Sequence, residues 1–185
     1  MTAKEIKSEI IKDLRLGVAS KSELYNRYKD KIEDVTLRKI LAHLPSRESK
    51  LKFNNVHIAI SIIWGLFLLF ELTTLLDLIE RFDFLSFAFL IITIYITINI
   101  WQFNGRFLLP GIFWFSVSIV NFALEFFRQI ENDGDILILM ALTVFYPLIL
   151  SSGIYLMFYL RKNAFGYLKW SPLQLNENEH LQFED

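Results

Sequence analysis

The chain contains no cysteine. Disulfides, thiolate metal sites, cysteine nucleophiles and S-palmitoylation are excluded together, and the redox compartment stays unread. The first 55 residues hold no apolar stretch of the kind a secretory leader uses, so the first hydrophobic run is expected to act as an uncleaved anchor. Catalytic signatures are missing too: there is no HExxH, no G-x-S-x-G, no Walker loop and no pair of intramembrane aspartates. His43, His57 and His180 share no ligand spacing, and His57 reads as an interfacial residue. "ENDGD" at 131–135 fails as a calcium loop: with Gly134 at the sixth position, Gln129 falls at the first and Met140 at the twelfth, where a glutamate is needed. It reads as a turn. No catalytic residue, metal or cofactor is expected, and the chain is read as a non-enzyme.

What is present is apolar mass. The 185 residues are 54% hydrophobic and include 18 Phe, too much for an ordinary soluble domain of this size. Four runs are long enough to cross a bilayer, which takes roughly 20 helical residues. They cover 56–79, 84–103, 107–127 and 136–160. All four are continuously apolar rather than alternating, which predicts helices and not barrel strands. Their connections, "ERFD", "NGR" and "RQIENDGD", are short enough to place successive helices antiparallel. The expected fold is all-α, an up-down bundle of four transmembrane helices. Gly105 is expected to close the second helix in a left-handed conformation, Pro110 to sit in the first turn of the third, and Pro147 to kink the fourth.

Charge gives the orientation. Residues 1–55 carry 13 of the 19 Lys and Arg. With the N-terminus inside, the outer loops hold only Arg81 and Arg128, and the other 17 cations lie on the inner side. The positive-inside rule then places both termini in the cytoplasm, with Trp101 and Trp170 at the inner interface and the chain in the inner membrane.

Residues 1–52 read as a small cytoplasmic head of three helices, 53–160 as the transmembrane domain and 161–185 as a polar cytoplasmic tail. The first helix is expected over 3–16 with Gly17 as its stop. The second opens on Ser20 and Glu23, a capping box, and the third runs over 34–44 up to Pro45. "GVASKSELYNRY" resembles the G-V-S-x-x-x-L-Y phrase of some helix-turn-helix proteins over a dozen residues, with one residue more. That resemblance implies a membrane-tethered DNA-binding regulator, with Lys29, Lys31, Arg38 and Lys39 meeting phosphates. The preferred reading makes those four residues an interaction surface for a protein partner or for anionic lipid, and does not expect nucleic acid.

Polar residues recur on single faces of the apolar runs. Gly111, Trp114, Ser118, Asn121 and Glu125 share one face of the third; His57, Ser61, Trp64, Leu68 and Glu71 share one of the first. Ser86, Thr93, Thr97 and Asn104 do so in the second. At about 1.5 Å per residue, Glu71 lies about 22 Å from Val56, in the outer half, and Glu125 lies near the outer surface. Asp77 is at the outer rim. Glu71, Asp77, Ser118, Asn121 and Glu125 are therefore the candidate intramembrane site. In one reading Glu71 is a neutral carboxyl that hydrogen-bonds a neighbouring helix. In another the set lines an outward-facing cavity for a cation or proton, and in a third it pairs with Arg81 or Arg128. The functional expectation is a sensor, scaffold or partner-regulating subunit that forms homo-oligomers in the bilayer, with a homo-oligomeric channel as the alternative.

Overall fold

The computed structural model describes residues 3–73, 84–130 and 136–165. Every secondary-structure element among them is helical. Four short helices come first: α1 (Ala3–Leu16), α2 (Lys21–Tyr28), α3 (Asp34–His43) and α4 (Arg47–Lys52). Four long ones follow: α5 (Asn54–Thr73), α6 (Phe84–Trp101), α7 (Leu108–Ile130), entered through a 3₁₀ turn at Gly105–Phe107, and α8 (Ile136–Phe165). Three stretches are long and apolar enough to cross a membrane: Asn54–Thr73, Gly105–Leu124 and Val144–Phe165. Twenty residues at 1.5 Å each give about 30 Å, the thickness of a hydrocarbon core. A shorter apolar segment, Phe87–Trp101, lies in α6. The chain is a membrane protein by this measure.

The residues fall into two compact units. One comprises the chain up to His57, the Phe103–Arg106 turn and the end of α8 from Tyr159. Within it, α1 stops where Gly17 adopts φ +66°. The Val18 N–H reaches back to the Asp13 carbonyl (3.1 Å) and the Gly17 N–H to Leu14 (3.3 Å), the paired bonds of a Schellman cap. The Ser20 hydroxyl accepts from the Glu23 N–H while the Glu23 carboxylate accepts from the Ser20 N–H, at 3.2 and 2.9 Å. This is the capping box expected from the sequence. Ile6, Ile10, Leu14, Leu24, Tyr28, Leu37 and Leu41 form a closed apolar core. Burying each such side chain contributes on the order of 1.5–3 kcal/mol before conformational entropy is set against it. Helix α4 is an element the sequence pattern did not suggest; Ser46 caps it through the Ser49 N–H at 3.1 Å.

The turn after α6 corrects one expectation. The left-handed residue is Phe103 (φ 59°), and Gly105 has no positive φ. Glycine is required at 105 for room instead: a Cβ there would lie 2.6 Å from the Phe165 ring. Phe103 is buried, with its ring on His57 at 4.3 Å and on Phe165 at 5.7 Å. Aromatic packing on both sides offsets a backbone conformation that costs about 1–2 kcal/mol.

The second unit holds 58–102 and 107–158. Its centre is Trp64, stacked on Phe115 at 4.3 Å with Phe67 edge-on to both. Gly111 of α7 lets three helices approach: a Cβ there would meet Ile100 of α6, Trp64 of α5 and Met157 of α8 at 2.9–3.1 Å. Gly153 of α8 does the same for Phe115 and Ile63. Two indoles tie helices together, Trp114 Nε1 donating to Thr93 Oγ1 (2.8 Å) and Trp101 Nε1 to the Ser61 carbonyl (3.0 Å). Helix α8 continues through Pro147, so the Thr143 carbonyl loses its usual donor.

Candidate functional site

The polar faces of the long helices converge in part. Thr93 and Thr97 are buried and spend their hydroxyls on the Phe89 and Thr93 carbonyls, at 3.0 and 2.7 Å. Thr93 also accepts the Trp114 N–H. The Ser61 hydroxyl and Trp64 indole N–H are buried without a hydrogen-bond partner among the described residues. These groups close the packing between helices and leave little room for chemistry.

Further along α5 the situation changes. Glu71 is partly buried, and so are Ser118 on α7 and Tyr146 on α8. The Ser118 hydroxyl and the Glu71 carboxyl both lie near enough to act on the Tyr146 phenol. Its ring packs against Phe122 at 4.6 Å and Phe70 at 5.2 Å. Three helices thus supply a carboxyl, a hydroxyl and a phenol to this part of the unit, beside the Phe70 and Phe122 rings. Groups of these kinds can share a proton or bond helix to helix.

Of the five intramembrane candidates, Glu71 and Ser118 are partly buried. Asn121 is exposed. Asp77 lies outside the described residues, as do the Glu125 side chain, the turn at 131–135 and the tail from 166. Tyr146 is the member that sequence reasoning missed. A tyrosine in an apolar run reads as an interfacial anchor, and nothing periodic in α8 marks this one. Only the crossing with α5 and α7 gives its phenol partners.

In the head the four basic candidates separate. Lys29, Lys31 and Lys39 are exposed. Lys31 lies over the Tyr28 ring at 5.3 Å. Arg38 is engaged within the fold instead: its guanidinium pairs with Asp34 at 2.7 Å and lies 5.9 Å from the Tyr25 ring centre. The Tyr25 hydroxyl donates to Asp34 at 2.5 Å. That bond and the Arg38 charge hold the Asp34 carboxyl below its ordinary value. The Tyr28 hydroxyl donates to Glu9 at 2.6 Å, which raises the pKa of the phenol. Arg27 pairs with Asp13 at 2.8 Å. These contacts join α1, α2 and α3.

A second cationic group was not anticipated. His43, at the end of α3, is pushed down to about 4 by burial and by the charges of Arg106, Lys7 and Lys39. Lys7 comes from α1, Lys39 from α3 and Arg106 from the turn between α6 and α7. Their separation in sequence hid their common effect on His43. Among the described residues no group of three or more His, Asp or Glu is placed to hold a metal ion. No protein-family model matches the chain, and neither a curated protein nor a solved structure does.

Proposed function

We propose that the chain is a small four-span protein of the inner membrane, with both termini cytoplasmic, that self-associates and scaffolds or regulates a partner through its N-terminal head. The observation that carries the reading is the head's closed core: Ile6, Ile10, Leu24, Leu37 and Leu41 are fully buried. Lys29, Lys31 and Lys39 meanwhile stay in solvent. A head with such a core can present charge to a partner without unfolding, while Leu16, Val18, Val35 and Leu51 add exposed apolar surface. The arrangement suits an acidic protein surface. The distribution of Lys and Arg supports the orientation. Native purification of the full chain tests the proposal. A stoichiometric partner lost with Lys29→Glu, Lys31→Glu and Lys39→Glu supports it; a bare monomer in nanodiscs, with no partner, contradicts it.

A second reading follows from the meeting of Glu71, Ser118 and Tyr146: an oligomer that admits a cation or proton to this site from outside. Flux into liposomes that disappears with Glu71→Gln would support it. A strict monomer makes a pore untenable, because four packed helices leave no conducting path.

A further inference from the structure

The head closes its core yet leaves large apolar side chains in solvent where α1 and α4 adjoin. Leu51 is 71% exposed, Val18 67% and Leu16 57%. Leu16 and Val18 flank the Gly17 cap of α1, and Arg47 of α4 lies against that cap. The Arg47 Nη1 donates to the Leu16 carbonyl at 3.4 Å, and its Cδ stands only 2.8 Å from where a Cβ on Gly17 would lie. Leu51 follows Arg47 by four residues, one turn along the same face of α4. The three apolar side chains thus stand on adjoining elements. Lys50 and Lys52, on either side of Leu51, are exposed as well.

The place of this edge in the chain points to what covers it. Only Phe53 separates α4 from Asn54, where an apolar stretch long enough to cross a bilayer begins. Helical bonds run through the junction: the Phe53 N–H donates to the Ser49 carbonyl at 3.0 Å, and the His57 N–H to the Phe53 carbonyl at 2.9 Å. At 1.5 Å per residue, Leu51 lies about 5 Å and Arg47 about 10 Å before Asn54, within or just above the headgroup zone. Ring contacts mark the same level. Phe53 packs on Tyr159 of α8 at 6.1 Å, Tyr159 is exposed, and the exposed Lys162 follows it by three residues. Aromatic rings backed by cations are what a membrane interface selects.

We propose that Leu16, Val18 and Leu51 dip into the headgroup–acyl boundary of the leaflet that α5 enters, while Lys50 and Lys52 meet the phosphates of anionic lipid. Apolar side chains flanked by cations are the pattern of a segment lying in that boundary. Helix α4 carries three cations, Arg47, Lys50 and Lys52, against one carboxylate, Glu48. A leucine so close to the start of an inserted helix meets lipid before it can meet another protein. The inference rests on the insertion of α5 and is separate from the partner surface proposed for Lys29, Lys31 and Lys39.

The test places a nitroxide on single cysteines of the full chain, one chain per nanodisc of mixed phosphatidylcholine and phosphatidylglycerol. Labels at Leu16→Cys, Val18→Cys and Leu51→Cys should collide more with oxygen, which concentrates in lipid, than with a water-soluble nickel chelate. A label at Lys29→Cys should do the reverse. Ile62→Cys, at an exposed position of α5, reports insertion. Adding Lys50→Gln and Lys52→Gln should weaken docking about fivefold per cation. Nickel access should then rise at the Leu16 and Val18 labels and stay low at the Ile62 label. Nickel access unchanged by that variant would overturn the anionic-lipid assignment. Head labels open to nickel, with the Ile62 label in lipid, would overturn the docking alone; an Ile62 label open to nickel would overturn the membrane reading with it. Head labels shielded from both reagents would be covered by protein, which also overturns the proposal.

Discussion

Gly105 and His43 show how much a single position can depend on distant neighbours. Gly105 faces the Phe165 ring at a distance no Cβ tolerates. Gly105→Ala should destabilise the fold by about 1–3 kcal/mol through overpacking. Phe165→Leu should recover part of the loss, giving a coupling in a double-mutant cycle of chemical unfolding. His43 makes a pH prediction. Its folded value is about 4 against an ordinary 6.5. Between those values the unfolded chain binds a proton at His43 that the folded head does not. Stability of the head should therefore fall as pH drops from about 6.5 toward 4, and be insensitive to His43 above that window. Hydrogen exchange of head amides across this range measures it, and His43→Gln should flatten the slope. An unchanged slope in the variant would remove His43 as the cause.

Elements were legible where the chain itself carries their start and stop signals. Helix α1 ends at Leu16 because Gly17 closes it, and α2 opens on Ser20 because Ser20 and Glu23 can cap one another. Helix α4 was not legible: six residues are too few to show a period, and only the Ser46 cap marks its start. The long helices were visible from apolar length alone. Their contact points were partly visible, since Gly111 and Trp64 lie on the polar faces read from the sequence. Gly153 was not, because nothing in its own run shows that the Phe115 ring needs the space. Gly153→Ala should force α8 away from Phe115 and Ile63 and cost about 1–3 kcal/mol. The measurement is thermal unfolding in detergent, where Phe115→Leu should restore part of the loss. The Glu71 site followed the same pattern. Two of its members lie on predicted faces, while Tyr146 joins them only through the packing of α8.

At the scale of the whole molecule, the division into two units cuts across the sequence. The unit containing the head also takes in the Phe103–Arg106 turn and the end of α8, segments that composition alone would assign to the membrane part and the tail. No periodicity carries that information, because it resides in ring contacts such as Phe53 on Tyr159 at 6.1 Å. The central claim is that the head and the α6–α7 turn lie on one side of a bilayer, opposite the loop between α7 and α8. A chain without cysteine allows that claim to be tested by single cysteine substitutions and a membrane-impermeant maleimide. The account predicts that Lys29→Cys and Arg106→Cys react only from the cytoplasmic face and Asp133→Cys only from the opposite face. Labelling of Lys29→Cys and Asp133→Cys from the same side would contradict the four-span topology.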